Sequence, residues 1–182
     1  SLGAWLQGRR LVGAAIAGIA IVGHTVPTNA QTVSSVTSIT SRKAPAIVAQ
    51  ASESTSEIEQ SIFQQINQYR ISRGLSALTW NAEIAKQARL HSRDMASRST
   101  PFGHGNFDRR AKALNSLLNY QSVAENVAYM TNRRNLATVA VKAWIESAKH
   151  RDNIEGNYNL TGIGVSHSAT GEVYFTEIFV RK

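Results

Sequence analysis

The C-terminal end of the chain contains two strand patterns joined by a short turn, and this pair constrains the fold most strongly. In the first pattern, Ile163, Val165 and His167 alternate with small or polar residues. In the second, β-branched and aromatic residues recur from Glu172 to Val180. The period of two is that of a strand, and Ala169-Thr170-Gly171 between the patterns is typical of a turn. The chain is therefore predicted to end in a β-hairpin.

The periodic segments before this hairpin are helical. Ser56 and Glu59 have the spacing of a capping box, which predicts the start of a first helix, and glycine at Arg73-Gly74 predicts its end. Asn81 is expected to cap a second helix. The apolar or buried positions expected on these two helices are Ile58, Ile62, Phe63, Ile66, Tyr69, Ile84, Ala88, His91 and Met95. Two further helices are predicted at about 107–118 and 136–147, so the chain is expected to form an α+β domain whose antiparallel sheet is covered by helices.

The first thirty residues have the pattern of a secretory signal. The pair Arg9-Arg10 precedes an apolar run from Leu11 to Gly23, and a small-x-Ala sequence ends at Ala30. These features predict a signal peptide at 1–30, a Ser/Thr/Ala-rich disordered linker at 31–54 and a folded domain at 55–182. An uncleaved membrane anchor is the alternative, although the apolar run is shorter than the roughly 20 residues of a membrane span. The protein is therefore expected to be exported.

Composition limits the chemistry. The chain has no cysteine, which excludes disulfides, thiolate metal sites and a cysteine nucleophile. Its formal net charge of +8 favours anionic partners. The basic residues are scattered and lack interleaved aromatic residues, so no sequence-specific nucleic-acid partner is expected. Arg109, Arg110 and Lys112 are assigned to the solvated face of the third helix.

Glu146 and His150 are four residues apart. If one helix contains both, their side chains lie on one face, and the carboxylate can orient the imidazole as a general base or a metal ligand. The alternative is that Glu146 belongs to a surface ion-pair ladder with Lys142 and Lys149. Ser147, one turn from His150, is considered as a nucleophile, although no set of oxyanion donors is evident.

Glu125 lies between Val123-Ala124 and Val127-Ala128 and has no obvious local partner. Carboxylates are seldom buried unless a cation or hydrogen-bond donors accompany them. Glu125 is therefore expected to face a cleft or a cation, with His104, His150, Arg151 or a metal as the partner. The side-chain amide of Asn126 is expected to fix the backbone at this point.

His104 lies between two glycines in a predicted loop, so that both its backbone and its ring can approach a ligand. His91, on the apolar face of the second helix, is expected to be a core or rim residue. The chain contains no zinc-protease His-Glu-x-x-His, no phosphate-binding glycine loop, no dinucleotide loop and no Gly-x-Ser-x-Gly elbow.

Together these segments resemble the CAP superfamily of cysteine-rich secretory, antigen 5 and pathogenesis-related proteins, in its cysteine-free bacterial branch. The resemblance extends from about Ile58 to Val180. The matching segments are Ile66-Asn67-Gln68-Tyr69-Arg70, Gly74-Leu75, Leu78-Thr79-Trp80, Ala88 through His91-Ser92, Asp94-Met95-Ala96, His104, Ala124-Glu125-Asn126-Val127-Ala128, Trp144, Ser147, His150-Arg151-Asp152-Asn153-Ile154, Ile163-Gly164-Val165 and Tyr174-Phe175-Thr176-Glu177.

The resemblance implies an α-β-α sandwich with a central antiparallel sheet and a cleft lined by two histidines and two glutamates. In some members this cleft binds a divalent metal, often zinc. His104 and Glu125 match the first histidine and the first glutamate. Ser147 occupies the position of the second glutamate of the animal and plant pattern. His150 matches the histidine of the bacterial pattern, so the metal ligands implied are His104 and His150.

The leading expectation is a secreted or envelope-associated protein that binds a small molecule, a lipid, a wall component or a protein. The ligand-binding residues expected are His104, Glu125, Asn126, His150 and Arg151, and Glu146 is a further cleft candidate. One alternative is a hydrolase in which Glu125 or His150 acts as general base, with or without a metal. Another is a basic adhesion module for anionic envelope polymers. Membrane contact is expected only through an uncleaved signal.

Overall fold

A computed structural model describes residues 11–15, 53–131 and 134–182, and for residues 11–15 it describes the backbone alone. The strands are β1 (Leu11–Ala15), β2 (Thr79–Trp80), β3 (Ser122–Met130), β4 (Leu160–His167) and β5 (Val173–Arg181). The helices are α1 (Thr55–Ser72), α2 (Ala82–Ala96), α3 (Phe107–Leu118), α4 (Leu136–Glu146) and α5 (Ala148–Ile154). The predicted C-terminal hairpin is formed by β4 and β5.

The strands form one sheet in the order β1-β3-β5-β4-β2. The inner strands β3, β5 and β4 are antiparallel to one another, whereas β1 and β2 pair in parallel with β3 and β4. One core lies between the sheet and α1 and α4, and a second lies between the sheet and α2 and α3. The predicted α-β-α sandwich with an antiparallel centre is confirmed.

The inner strand β3 is an element that the sequence pattern does not predict. Seven of its nine positions are buried, from Val123 to Ala128 and at Met130. A strand that is covered on both faces loses the alternation of apolar and polar residues by which an exposed strand is recognised. The segment around Glu125 therefore reads as a short apolar run rather than as a strand.

Side chains of β3 alternate between the two helical layers. Ala124 and Ala128 belong to the core beneath α1 and α4, whereas Val123 belongs to the core beneath α2 and α3. Because successive strand residues point to opposite faces, Glu125 shares the face of Val123 and Asn126 shares the face of Ala124. The two neighbouring candidates thus contact different layers of the sandwich.

Two glycines allow α2 to pack directly on β4. A Cβ atom at Gly164 would lie 2.1 Å from the backbone nitrogen of Arg89, and one at Gly162 would lie 2.1 Å from that of Ala85. Side chains at these positions would push the helix off the sheet. The sequence Gly162-Ile163-Gly164 therefore fixes the position of α2.

The cap of α1 differs from the prediction. Its N-cap is Ser54, whose hydroxyl accepts from the backbone of Glu57, and the Glu57 carboxylate accepts from the Ser54 backbone. The predicted Ser56–Glu59 capping box is wrong because Glu59 is buried. Its carboxylate accepts from Arg89 Nη2 at 2.6 Å and from Arg89 Nε, whose single hydrogen is shared between the two oxygens at 3.0 Å each. It also accepts from the backbone of Val165 at 3.1 Å. At the other end of α1, Gly74 adopts the predicted left-handed conformation, with φ of 73°.

The first helix, α1, starts at Thr55, and the division of the chain into signal, linker and domain stays a prediction. Residues 11–15 lie within the predicted signal, and the rest of that segment and linker residues 31–52 lie outside the described residues. The signal and the linker therefore stay predictions. No helix in the described ranges is both long and apolar enough to cross a membrane.

A third buried carboxyl group, Glu177, lies on the α1 side of β5. Thr161 Oγ1 donates to Glu177 Oε1 at 3.1 Å, and Oε2 has no hydrogen-bond partner among the described residues. Burial raises the pKa of Glu177 to about 8, although the Thr161 hydrogen bond and the charge of Arg70 oppose the shift. Arg70 is itself held by the carbonyl groups of Ile154 and Gly156, at 2.6 and 3.0 Å. Glu177 is therefore expected to be mostly protonated at neutral pH.

The raised pKa of Glu177 predicts that stability falls as pH rises. Between the ordinary pKa of 4.5 and the folded value of about 8, the unfolded chain has released a proton that the folded protein retains. Each pH unit in this window costs up to about 1.4 kcal/mol of unfolding free energy. Glu177→Gln should remove this loss. Denaturant titrations from pH 5 to pH 9 should therefore show that the unfolding free energy of the variant, relative to that of the wild-type protein, increases up to about pH 8. A difference that does not change with pH would contradict the prediction.

Candidate functional site

Glu125 lies at the centre of β3 with its carboxylate fully buried beneath α2 and α3. Arg110 donates to both of its oxygens, from Nε to Oε2 at 2.8 Å and from Nη2 to Oε1 at 2.7 Å. His104 Nδ1 lies 2.9 Å from the same Oε1 atom. Burial favours the neutral acid, but the hydrogen bonds from His104 and Arg110 and the Arg110 charge outweigh it and hold the pKa of Glu125 below its ordinary value. The carboxylate is therefore ionised and paired.

Arg110 is the functional residue that the sequence interpretation missed. It was assigned to the solvated face of the third helix, but its side chain is buried and also donates from Nη1 to the Gly105 carbonyl at 2.7 Å. The spacing of the apolar residues in α3 indicates that Arg110 is buried. Position 110 lies on the stripe formed by Phe107, Ala111 and Leu114, which are buried on the same face of α3. A cation on an apolar helical stripe indicates a buried anion, and Glu125 is that anion.

His104 lies in the loop between α2 and α3 and is held by Glu125, one of the partners that the sequence predicted. Because the ionised carboxylate can only accept, Nδ1 of His104 carries the hydrogen of this contact. In the neutral ring, Nε2 then has a free lone pair. That atom is buried and has no hydrogen-bond partner among the described residues.

His91 fixes the loop that carries His104. Its Nε2 donates to the Gly103 carbonyl at 2.7 Å and lies 3.9 Å from Glu125 Oε1. Burial lowers the pKa of His91, with the Glu125 charge opposing the shift. His91 is buried, as expected for a core residue, and it positions the main chain next to His104.

Half-buried aromatic side chains lie further along the same face of the sheet. Tyr129 and Tyr174 are stacked with ring centroids 5.6 Å apart, and Phe102 from the His104 loop packs edge-on against Tyr129 at 4.9 Å. Tyr129 follows Glu125 by four residues, which is about 13 Å along a strand. The His104 loop therefore joins a polar pair to an aromatic cluster.

Asn126 and His150 meet on the opposite face of the sheet. Asn126 Nδ2 donates to the backbone carbonyl of His150 at 3.0 Å, and Asn153 Nδ2 donates to Asn126 Oδ1 at 2.8 Å. The Asn126 amide thus holds the backbone of α5, whereas the sequence places its contact in the chain around Glu125. His150 is buried, and its Nδ1 lies 2.7 Å from Ser147 Oγ. The structure thus pairs Glu125 with His104, while His150 lies in α5 and contacts Ser147.

Glu146 and His150 do not share a helix. Ser147 is extended, with φ of −91° and ψ of 117°, and it separates α4 from α5. Glu146 is 64% exposed and lies 3.7 Å from Lys142 Nζ, so the alternative of a surface ion pair is correct and the shared-face geometry is wrong. Arg151 donates from Nη1 to the Ile145 carbonyl at 2.9 Å, which ties α5 to the end of α4.

The donor set around Glu125 does not fit a resident divalent metal. No group of three or more His, Asp or Glu side chains in the described ranges is arranged to hold one. Both Glu125 oxygens already accept from Arg110, whose fixed positive charge opposes a second cation. The expected zinc site at His104 and His150 stays a prediction.

The fold and site define an α-β-α sandwich domain with a histidine–glutamate pair beneath the second helical layer. A model of the CAP family, described as the cysteine-rich secretory protein family, matches residues 63–179. The chain belongs to the CAP family, and the predicted resemblance is confirmed.

Two Bacillus subtilis proteins are similar in sequence. The uncharacterised protein YkwD is 29% identical over 157 residues, which cover 79% of this chain and 57% of YkwD. The uncharacterised membrane protein YlbC is 28% identical over 133 residues, which cover 68% of this chain and 34% of YlbC. The chain thus spans 57% and 34% of the length of these relatives.

Three solved structures are similar in fold. A cysteine-rich secretory protein from Staphylococcus aureus has a TM-score of 0.57 at 22% identity, with 71% of this chain and 40% of that chain covered. An extracellular SCP-domain protein from Bacillus anthracis has a TM-score of 0.53 at 26% identity, with 70% and 41% covered. An outer surface protein from Borrelia burgdorferi has a TM-score of 0.59 at 18% identity, with 71% and 96% covered. The first and third similarities show the fold alone.

The pairing of Arg110 with Glu125 predicts a large loss of stability when one partner is removed. Arg110→Met leaves a buried carboxylate without its guanidinium and should cost about 3–5 kcal/mol of unfolding free energy. Arg110→Met/Glu125→Met should recover much of this loss because neither charge remains. Arg109→Met, at the exposed neighbour, is the control and should change stability by less than about 0.5 kcal/mol. Equal losses for the Arg109 and Arg110 variants in denaturant titrations would contradict the assignment.

Proposed function

We propose that this chain is an exported CAP-domain protein whose His104 site binds a ligand that carries a hydrogen-bond donor. The observation that carries the proposal is the buried Nε2 atom of His104, which has no partner within the described ranges. Buried polar atoms in proteins are nearly always hydrogen-bonded to protein or water. The buried acceptor in this loop therefore supports a site where a ligand or a bound water donates a hydrogen bond to Nε2.

The surroundings of His104 support a preorganised acceptor. Glu125 holds Nδ1 at 2.9 Å, Arg110 holds Glu125, and His91 holds the Gly103 carbonyl in the same loop. A ring with one nitrogen fixed by a carboxylate presents the other in a defined direction. The ring therefore does not need to turn when a donor approaches Nε2.

The aromatic cluster supports a ligand with an apolar part. Phe102, Tyr129 and Tyr174 are only partly buried and lie on the face of the sheet that Glu125 occupies. A site that combines apolar contact surface with a few fixed polar atoms is typical of small-molecule pockets. The ligand class proposed is a small molecule, lipid or wall component with a hydroxyl or amide donor.

Several observations support export. The sequence predicts a signal peptide at 1–30, and the chain has no cysteine to be oxidised outside the cell. Among the relatives in fold, the Bacillus anthracis protein is described as extracellular and the Borrelia burgdorferi protein as an outer surface protein.

The binding proposal predicts that His104 and an exposed histidine behave differently. Calorimetric titrations of the full chain with soluble peptidoglycan fragments, phospholipid micelles and zinc chloride would identify which probe binds. For that probe, His104→Ala should weaken binding by roughly tenfold or more, because one hydrogen bond to a buried acceptor is lost. His167→Ala, at an exposed position on β4, is the matched control and should bind as the wild-type protein does.

Binding that is equal in wild-type protein, His104→Ala and His167→Ala would contradict the proposal. A heat of zinc binding that disappears in His104→Ala would favour a metal ligand at Nε2. A heat of binding with an organic probe that the wild-type protein shows and His104→Ala lacks would favour the hydrogen-bond acceptor.

A hydrolase is the second candidate, and the same geometry favours it. Glu125 orients Nδ1 of His104, so that Nε2 can take a proton from a water molecule as that water attacks a carbonyl or phosphoryl centre. In this arrangement the general base is His104, and Glu125 is a positioning residue because both its oxygens are occupied. Turnover on peptide, peptidoglycan or ester panels should be lost in His104→Ala and kept in His167→Ala, and turnover that survives in His104→Ala would exclude this role.

A further inference from the structure

A row of basic side chains follows the edge of α2 that is remote from the His104 site. Lys86, Arg89 and Arg93 are exposed and occur at i, i+3 and i+7, so they lie on one side of the helix. His91 is two positions from both Arg89 and Arg93, which is roughly 200° around the helix axis. Arg98 continues the row beyond the helix, in a left-handed conformation with φ of 62°.

These side chains line two adjoining cavities that share Arg93 and Ser166. The first, of about 360 Å³, lies between the start of α1, the edge of α2 and the outer edge of β4. The second, of about 430 Å³, lies between the end of α2 and the turn after β4. We call the two together the α2–β4 groove. The hydroxyl groups that line it belong to Thr55, Ser56, Ser97, Ser166 and Thr170.

The charge of the groove is positive. The one acidic residue that lines either cavity is Glu59, and Arg89 neutralises it at 2.6 Å. Lys86, Arg93 and Arg98 form no ion pair with any described carboxylate. The neighbouring Glu172 is held by hydrogen bonds from Ser168 and Thr170. Lys86 and Arg93 therefore face the groove without an anionic partner, whereas Arg98 lies within range of the Glu172 charge and the Thr170 hydroxyl already donates to that carboxylate.

The hydrogen bonding at the edge of β4 disfavours a peptide strand as the ligand of the α2–β4 groove. β2 pairs only with the start of β4, at Leu160 and Thr161, so the rest of that edge is open toward the groove. Glu59 accepts the Val165 N–H that an added strand would need. The Glu59–Arg89 pair thus blocks extension of the sheet at this point.

A flat membrane surface fits the groove equally poorly. Adsorption to a bilayer is strengthened by apolar side chains next to the basic ones. The large apolar side chains that are most exposed in the described ranges are Ile71 and Leu117, and neither lines either cavity. The groove presents basic side chains and hydroxyl groups in a concave channel.

We propose that the α2–β4 groove binds a linear polyanion, a soluble polymer with a phosphate or carboxylate group on each repeat. The cations from Lys86 to Arg93 extend about 10 Å along the helix, and Arg98 extends the row further. A chain with repeated charges can contact several of them at once, and the hydroxyl groups donate to the remaining oxygens. This site is independent of the His104 site and gives the predicted adhesion to anionic polymers a location on the molecule.

The test measures binding of fluorescein-labelled polyphosphate and poly-L-glutamate to the full chain by fluorescence anisotropy. The groove variant is Lys86→Gln/Arg93→Gln/Arg98→Gln, which keeps Arg89 because Arg89 holds Glu59. The control is Arg109→Gln/Lys112→Gln/Lys149→Gln, which removes the same charge from exposed positions elsewhere. The groove variant should lose roughly tenfold or more in affinity and show a shallower salt dependence, while the control and His104→Ala stay within about threefold.

Equal losses in the two triple variants would overturn the proposal, since binding would then follow net charge alone. Tighter binding to phosphatidylglycerol vesicles than to either polymer would overturn it in favour of a membrane surface. The two polymers separate phosphate from carboxylate recognition, and failure to bind either would also overturn it. Matching circular dichroism spectra and thermal unfolding show that each variant is folded.

Discussion

The buried pairing of Glu125 with Arg110 is the interaction on which the site depends. A carboxylate at the centre of a sheet loses its hydration and is stable only with compensating hydrogen bonds and charge. Arg110 supplies both, through two contacts of 2.7–2.8 Å from a helix that packs on the same face of the sheet. The position of α3 over β3 is therefore an electrostatic requirement as well as a consequence of apolar packing.

The same carboxylate determines what His104 can do. Because Glu125 is ionised, it accepts the Nδ1 hydrogen of His104 and leaves Nε2 as the acceptor in the neutral ring. Arg110 also holds the Gly105 carbonyl and His91 holds the Gly103 carbonyl, so the main chain on both sides of His104 is fixed. A CAP domain without cysteine thus builds its site with hydrogen bonds and one buried ion pair. The basic groove on the far edge of α2 shares the scaffold but none of these contacts.

Local sequence patterns predict much of this fold. The errors arise where a contact between residues far apart in the sequence determines the structure. The helices over 82–96 and 107–118 and the C-terminal hairpin follow from capping and periodicity. The apolar neighbours of Glu125 predict a carboxylate that faces a cleft or a cation, and the structure provides a cation. Its main partner was missed because Arg110 is next to exposed Arg109, and a short charged run reads as a solvated face. The pairing of Glu146 with His150 requires one helix through Ser147, whose extended backbone no local residue pattern indicates.

The central claim is that His104 is held with its hydrogen on Nδ1 and an acceptor at Nε2. Long-range ¹H–¹⁵N correlation spectra of the histidine rings, recorded on the full chain at about pH 8.5, report which nitrogen of each neutral ring carries the hydrogen. The account predicts a protonated Nδ1 and an unprotonated Nε2 for His104. It also predicts that this preference is lost in Glu125→Gln, whose amide can donate to Nδ1 as well as accept from it. An Nε2–H tautomer for His104 in the wild-type protein would contradict the account.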